Sequence, residues 1–88
     1  MSRALQRDRL LSIVPKSERE EFRVQLRLSA DGGSRNIDLR TFIIEGAETV
    51  ATPKGILIRP TLLRPLIQAL QRAEIEAIAE GLITPGED

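Results

Sequence analysis

Hydrophobic and polar residues alternate most regularly over positions 22–28. The apolar positions are Phe22, Val24, Leu26 and Leu28, and the residues between them are Arg23, Gln25 and Arg27. A period of two predicts a β-strand with one buried face. Residues 30–33, with the sequence ADGG, then tolerate the positive φ angles that a tight turn needs, so they predict a hairpin turn.

The returning segment predicts a second strand with two different faces. One face carries Ile37, Leu39, Thr41 and Ile43, and the other carries Asn36, Asp38, Arg40, Phe42 and Ile44. The second face therefore changes from polar to apolar midway. Residues 45–48 predict the next turn, and residues 49–58 predict one or two further strands. Pro53 and Gly55 within that stretch indicate an edge strand or a bulge.

The last regular element is predicted to be one long helix. Proline is tolerated in a first helical turn, so the helix should begin near Thr61 to Pro65, and Gly81 should end it. Its apolar positions form a stripe about 160° wide at about 100° per residue, made of Leu62, Leu63, Leu66, Ile67, Leu70, Ala73, Ala77 and Ile78. One helix packed on one small sheet would leave part of this stripe uncovered, which indicates self-association through the helix.

The two ends of the chain lack such clear periodicity. Residues 1–18 form an N-terminal segment in which Leu5, Leu10, Leu11 and Val14 predict a short amphipathic helix that Pro15 ends. Residues 19–82 form the predicted domain, and residues 83–88 form a flexible tail. The fold class is thus α+β: an antiparallel sheet of three to four strands followed by one long C-terminal helix.

Composition agrees with one small folded domain. The chain has 88 residues, of which 41% are hydrophobic and 30% charged, a mixture too apolar for a disordered chain. A domain this short is marginally stable alone, so a partner subunit would help. The leucines near the N-terminus are interrupted by charges, unlike a signal peptide, and there is no transmembrane stretch. We therefore expect a cytoplasmic protein.

The charges are unevenly distributed although the net charge is zero. Residues 1–72 hold all 13 Lys and Arg against 8 acids, a balance of +5, whereas residues 73–88 hold five acids and no base. The basic part can therefore meet phosphates.

Residue types argue against an enzyme. Histidine, cysteine, tyrosine and tryptophan are all absent, which removes the usual proton shuttle and most nucleophiles. The absence of cysteine also excludes thiol redox chemistry. The acids of the last helix have no histidine or cysteine with which to complete a transition-metal site. We expect no catalytic residue, no metal and no cofactor.

Basic residues on the predicted strands are the candidate binding residues. Arg23 and Arg27 lie on the polar face of one strand, Arg40 has the polar parity of the next, and Lys54 lies beside Gly55. They form either one basic surface for phosphates or a solvated sheet face paired with Asp38 and other acids. Phe42 shares the parity of Arg40, so it is either a stacking platform or part of the core.

Two motifs and their order carry a resemblance to a known family. The motifs are Asp38-Leu39-Arg40-Thr41-Phe42 and, after a turn, Lys54-Gly55-Ile56-Leu57-Ile58, and a proline-led helix over residues 60–82 follows. In these features the chain resembles the single-stranded DNA-binding domain of the transcriptional positive cofactor four family, in the manner of its bacterial and phage members. The resemblance implies a strongly curved antiparallel sheet, dimerisation through the helices, and grooves that accept unpaired strands.

The chain also departs from the family pattern. Leu63 stands where the family commonly has a tryptophan, and Ile43 replaces a second aromatic residue. These 88 residues contain no stretch like the serine- and acid-rich extension of the eukaryotic members, so we do not expect the coactivator role of those members to carry over.

The functional hypothesis is a homodimer that binds single-stranded DNA or RNA with little sequence preference, as a cofactor in transcription or other DNA metabolism. If the source is bacterial, we expect it at the nucleoid. The alternative is a dimeric protein-interaction module that kept the fold and lost nucleic-acid binding. The candidate binding residues are Arg23, Arg27, Arg40, Phe42, Lys54 and Arg59.

Overall fold

The computed structural model describes residues 8–28 and 34–84. It contains four strands, β1 (Arg9–Pro15), β2 (Glu20–Leu28), β3 (Arg35–Glu45) and β4 (Glu48–Ile58), then a 3₁₀ turn (Pro60–Leu62) and helix α1 (Leu63–Ala79). The strands form one open antiparallel sheet in the order β1-β2-β3-β4. The predicted α+β class is confirmed. The predicted turn at 30–33 and the tail from residue 85 lie outside the described residues.

The predicted N-terminal helix is wrong where the structure describes the segment. Residues 9–15 form β1, which pairs antiparallel with β2 from Arg9↔Leu26 to Pro15↔Glu21. The irregular leucine spacing that suggested a helix has a different origin, because a bulge between Leu10 and Ser12 inserts one residue and shifts the alternation. Free backbone groups along β2 provided a pairing partner that local periodicity does not reveal.

The two central strands pair without interruption. β2 and β3 are in register from Glu20↔Ile43 to Leu28↔Arg35. A two-residue turn, Gly46-Ala47, joins β3 to β4, and Gly46 has a φ of 64°. A positive φ at the first central residue is the requirement of a type II′ hairpin turn, which explains the glycine.

β4 contains the bulge that Pro53 and Gly55 predicted. Arg40 pairs with Gly55 and Phe42 pairs with Ala51, so three residues of β4 lie opposite Thr41 alone. Thr52 stabilises this bulge, since its Oγ1 donates to the carbonyl oxygen of Thr41 at 2.7 Å and accepts the backbone N–H of Lys54 at 3.2 Å.

Gly55 is required by close approach of the two backbones. A Cβ at this position would lie 2.7 Å from the carbonyl oxygen of Leu39 and 2.9 Å from the Cα of Arg40. Only glycine therefore lets β4 return to regular pairing directly after the bulge.

Helix α1 begins and ends where the sequence predicts. Pro65 lies in the first turn of the helix. Gly81, with a φ of 75°, directly follows Glu80, the residue that caps the C-terminus. The N–H groups of Gly81 and Leu82 donate to the carbonyls of Ile78 at 3.0 Å and Ala77 at 2.8 Å. These paired bonds are a Schellman motif, which satisfies the last carbonyls of the helix.

The helix does not cover the sheet within one protomer. No residue of α1 is buried, and the helix contacts mainly the 3₁₀ turn that precedes it. Among the described residues only Ile37, Ile58, Asp38 and Thr41 are buried. Part of the apolar stripe, including Ile67 and Leu70, is exposed to solvent in the single chain. None of the described helices is long and apolar enough to span a membrane.

Candidate functional site

The strand register collects most of the candidate residues on one face of the sheet. Arg23 pairs with Arg40, Gln25 with Asp38, and Glu21 with Phe42. Directly paired residues in an antiparallel sheet point to the same side. We call the side that carries Arg23, Arg27, Arg40 and Phe42 the polar face.

A buried carboxylate lies at the centre of the polar face. Asp38 is fully buried, and its Oδ2 accepts a hydrogen bond from Arg27 Nη1 at 2.9 Å and one from Arg40 Nε at 3.2 Å. Its Oδ1 has no hydrogen-bond partner among the described residues. One carboxylate therefore holds two arginines from neighbouring strands.

Each of these arginines has a second anchor. Arg40 Nη1 donates to the carbonyl oxygen of Thr52 at 2.8 Å, which ties the guanidinium to the β4 bulge. Arg27 Nε lies 3.3 Å from Asp8 Oδ2, while Asp8 Oδ1 accepts the backbone N–H of Leu28 at 2.9 Å. Both guanidinium groups are thus fixed in orientation, with part of their N–H donors already used.

The hydrogen bond to Asp38, helped by the charges of Asp38 and Asp8, raises the pKa of Arg27 above its ordinary value. An arginine is already protonated throughout the physiological range. The shift therefore produces no change of charge at this site near neutral pH.

Arg23 stacks on the main aromatic candidate. Its guanidinium carbon lies 4.6 Å from the centroid of the Phe42 ring, within the range of a cation–π interaction. Glu21 forms an ion pair with Arg23 Nε. Phe42 is half-buried on the polar face and already carries a flat cationic group.

The two remaining candidates lie at the margin of this group. Lys54 is exposed in the β4 bulge and forms no ion pair with any described residue. Arg59 is exposed in the link between β4 and the 3₁₀ turn. The structure thus brings together Arg23, Arg27, Arg40 and Phe42, places Lys54 beside them next to Gly55, and leaves Arg59 beyond the end of β4.

The sequence indicated Asp38 as a candidate partner of the strand arginines, and the structure shows that pairing with Arg27 and Arg40. Two further acids, Asp8 and Glu21, were missed. Asp8 was unpredictable because its segment was interpreted as helical. Glu21 precedes Phe22, where the sequence alternation begins, although it has the same parity as Arg23 and lies within β2. In the described part of the chain, no three carboxylate or other metal-binding side chains come together to hold a metal ion.

Comparison with known proteins relates the whole fold to solved structures. No protein-family model matches the chain, and no curated protein matches it. Two crystal forms of BPSL1147, a PC4 homolog from Burkholderia pseudomallei, do match. The orthorhombic form has 32% sequence identity and a TM-score of 0.71, covering 77% of this chain and 90% of that one.

The tetragonal form has the same identity and a TM-score of 0.70, and the match covers 76% of this chain and 97% of that one. The likeness thus spans nearly the whole of the bacterial homolog. PC4 is the abbreviation of positive cofactor four, the family that the Arg40 and Lys54 motifs indicated. With this identity over nearly the whole length of a homolog, the chain belongs to the PC4 family.

Proposed function

We propose that a homodimer of this chain binds single-stranded DNA or RNA with little sequence preference on the polar face. The observation that carries the proposal is the Arg23 guanidinium stacked on Phe42 next to Arg40. Binders of single strands need cations for phosphates together with flat groups on which bases stack. Membership of the PC4 family supports the same conclusion.

Phosphate contacts come from cations that keep free donors. Lys54 is exposed and carries a full set of N–H donors. The anchored guanidiniums of Arg27 and Arg40 present their remaining N–H groups in fixed directions, which lowers the entropic cost of binding a phosphate. A base stacks on the guanidinium plane of Arg23 or replaces it on Phe42.

Internal ion pairs limit the electrostatic part of the affinity. Asp8, Glu21 and Asp38 neutralise part of the charge of Arg23, Arg27 and Arg40. We therefore expect few released counterions and a modest salt dependence compared with strongly basic proteins.

Helix α1 supplies the proposed dimer interface. Its exposed apolar residues include Ile67 and Leu70, and Leu62 of the preceding 3₁₀ turn continues the same stripe. A chain with so few buried residues needs further apolar burial to be stable. A second copy of the same stripe provides that burial.

The charges of α1 favour an antiparallel helix pair. Arg64 and Arg72 lie in its first ten residues, which contain no acid, whereas Glu74 and Glu76 lie in its last seven, which contain no base. Each set is adverse to the helix macrodipole, which prefers acids near the N-terminus and bases near the C-terminus. Antiparallel pairing places the acidic half of one helix against the basic half of its partner. The attraction between these halves offsets the unfavourable interaction of the charges with the helix dipole.

Fluorescence anisotropy of a labelled single-stranded oligonucleotide tests the binding function. We expect binding that weakens with salt and exceeds binding to the matching duplex. The double variant Arg23→Ala, Lys54→Ala should bind about tenfold or more weakly at low salt. Its slope of log K against log salt should become shallower by about 0.7 for each lost phosphate contact.

The matched control is Arg9→Ala, Arg19→Ala. It removes the same charge from exposed positions, since Arg9 pairs with Leu26 on the other face and Arg19 lies in the turn before β2. Equal losses in both double variants would show nonspecific charge attraction and count against a site on the polar face.

The alternative function is a dimeric protein-interaction module. The neutralisation of Arg27 and Arg40 by the buried Asp38 favours it, because it leaves fewer free cations than the sequence suggests. The wild-type protein would then fail to bind the oligonucleotide even at low salt, and it would not be retained on heparin.

A further inference from the structure

The polar face has aliphatic margins that the sequence did not reveal. One row across the sheet reads Leu10, Gln25, Asp38 and Leu57, from β1 to β4. The next row reads Ile13, Arg23, Arg40 and Gly55. A central strip of polar and charged residues on β2 and β3 is therefore flanked by Leu10 and Ile13 on one side and by Leu57 on the other. We call these three residues the aliphatic flanks.

The flanks are open to solvent in the protomer. The exposed fractions are 43% for Leu10, 43% for Ile13 and 58% for Leu57. Each is separated from its polar neighbour by one strand spacing, about 4.8 Å. A ligand that contacts the central cations therefore reaches the flanks without leaving the face.

The chemistry of the two zones matches the two parts of an unpaired nucleotide. The central strip offers guanidinium groups to phosphates, and the flanks offer apolar surface to bases that are not buried in a duplex. Phe42 is the only aromatic residue on this face and already carries Arg23. Arg23 and Phe42 together thus provide one stacking position, and further bases of the same strand need another apolar surface.

We propose that the aliphatic flanks are the base-contacting subsite of this face, taking bases by apolar packing where aromatic stacking is scarce. This inference rests on the proposed function. It adds apolar base contacts on β1 and β4 to the stacking position formed by Arg23 and Phe42, and it leaves the phosphates to the arginines of the central strip and to Lys54. Apolar packing does not read hydrogen-bonding edges, so the subsite is expected to accept any base.

The test compares two labelled probes of equal length, an oligothymidylate and an abasic oligodeoxynucleotide that keeps the phosphate chain. The wild-type protein should bind the oligothymidylate more tightly. Replacing Ile13 or Leu57 by Thr keeps strand propensity and removes apolar contact area. Each change should lower the affinity ratio between the probes about three- to tenfold, on the order of 1 kcal/mol of lost apolar burial. The affinity for the abasic probe and its salt slope should stay unchanged.

Neighbouring residues provide matched controls on the opposite face. Val14→Thr is the control for Ile13→Thr, and Ile56→Thr is the control for Leu57→Thr. Val14 and Ile56 pair with Phe22 and Leu39, and they are 50% and 52% exposed. These controls should leave the ratio between the two probes at the wild-type value.

The possible results distinguish the base-contacting subsite from the proposed single-strand binding on which it depends. Absence of oligothymidylate binding by the wild-type protein overturns the proposed function. If the flank variants and the control variants bind with the same ratio of oligothymidylate to abasic affinity, the base subsite is overturned and the proposed function is not. A flank variant that lowers the mass of the assembly in solution, with its probe ratio unchanged, would instead assign the flanks to contacts between copies of the chain and overturn the subsite.

Discussion

At the scale of single residues, Asp38 organises the polar face. It is the only fully buried charged side chain among the described residues, and it joins Arg27 of β2 to Arg40 of β3. Burying a carboxylate is costly unless it is paired and hydrogen-bonded. The two arginines meet this requirement, and in return the carboxylate fixes their positions.

We predict that Asp38→Asn lowers the free energy of unfolding by about 1 to 3 kcal/mol, because it removes the charge from two charge-assisted hydrogen bonds at a buried site. Urea unfolding followed by circular dichroism, at one fixed protein concentration, measures this change. The control is Asp8→Asn, whose side chain is 46% exposed and should contribute less than about 1 kcal/mol. Equal effects of the two substitutions would show that Asp38 has no special role.

Gly55 is a second residue whose role is purely geometric. Gly55→Ala should destabilise the protein by about 1 to 3 kcal/mol, since the new Cβ meets backbone atoms of β3 that cannot move independently. Thermal unfolding of the variant and of the wild-type protein measures this loss as a lower melting temperature. The comparison is Gly46→Ala, where a Cβ has open space around it and only the positive φ opposes the substitution. A larger loss at Gly46 than at Gly55 would contradict the close approach described for β4.

At the scale of elements, α1 is well defined in its own structure but lacks a packing partner. Pro65 and Gly81 determine where it begins and ends, and the Schellman motif satisfies its last carbonyls. Helices in proteins owe most of their stability to packing of an apolar face. The exposed apolar residues of α1 are therefore the basis of the proposed interface with a second chain.

The substitution Leu70→Glu tests this interface. Leu70 lies near the centre of the stripe and is 58% exposed in the protomer, so a charge there costs little in a monomer and much in a buried helix pair. Sedimentation analysis should show a mass of two chains for the wild-type protein and of one chain for the variant at micromolar concentration. Gln68→Glu adds the same charge about 160° around the helix and should leave the dimer intact. A dimeric Leu70→Glu variant would place the interface elsewhere.

At the scale of the whole molecule, folding and association should be coupled. Only two apolar residues of the described chain, Ile37 and Ile58, are buried, whereas an 88-residue domain needs extensive apolar burial to offset its conformational entropy. The proposed dimer would extend that burial across an interface formed by α1.

We predict that the urea midpoint rises with protein concentration, because a dimer that unfolds to monomers is stabilised by mass action. Unfolding curves recorded over a hundredfold range of concentration measure the shift. The Leu70→Glu variant should unfold at lower urea and without this dependence. A wild-type midpoint that stays constant over the range would show that the protomer is stable by itself.

The sequence alone determined the parts of this protein that depend on local patterns. The alternation over residues 22–28 defined β2, the parity of residues 36–44 placed Arg40 and Phe42 together on β3, and Pro53 with Gly55 indicated the bulge of β4. The limits of α1 followed from Pro65 and Gly81. These features were predictable because backbone conformation and side-chain direction have fixed periods, and because proline and glycine restrict or extend the allowed backbone angles.

Only the tertiary structure decided which segments pair and which charges meet. β1 is a strand because β2 offers it an edge, so the local spacing of its leucines was misleading. Arg27 and Arg40 are anchored rather than free because the register brings Asp38 between them. The aliphatic flanks exist because strands distant in sequence lie side by side. Such relations come from hydrogen bonds and packing between segments, which no single stretch of sequence contains.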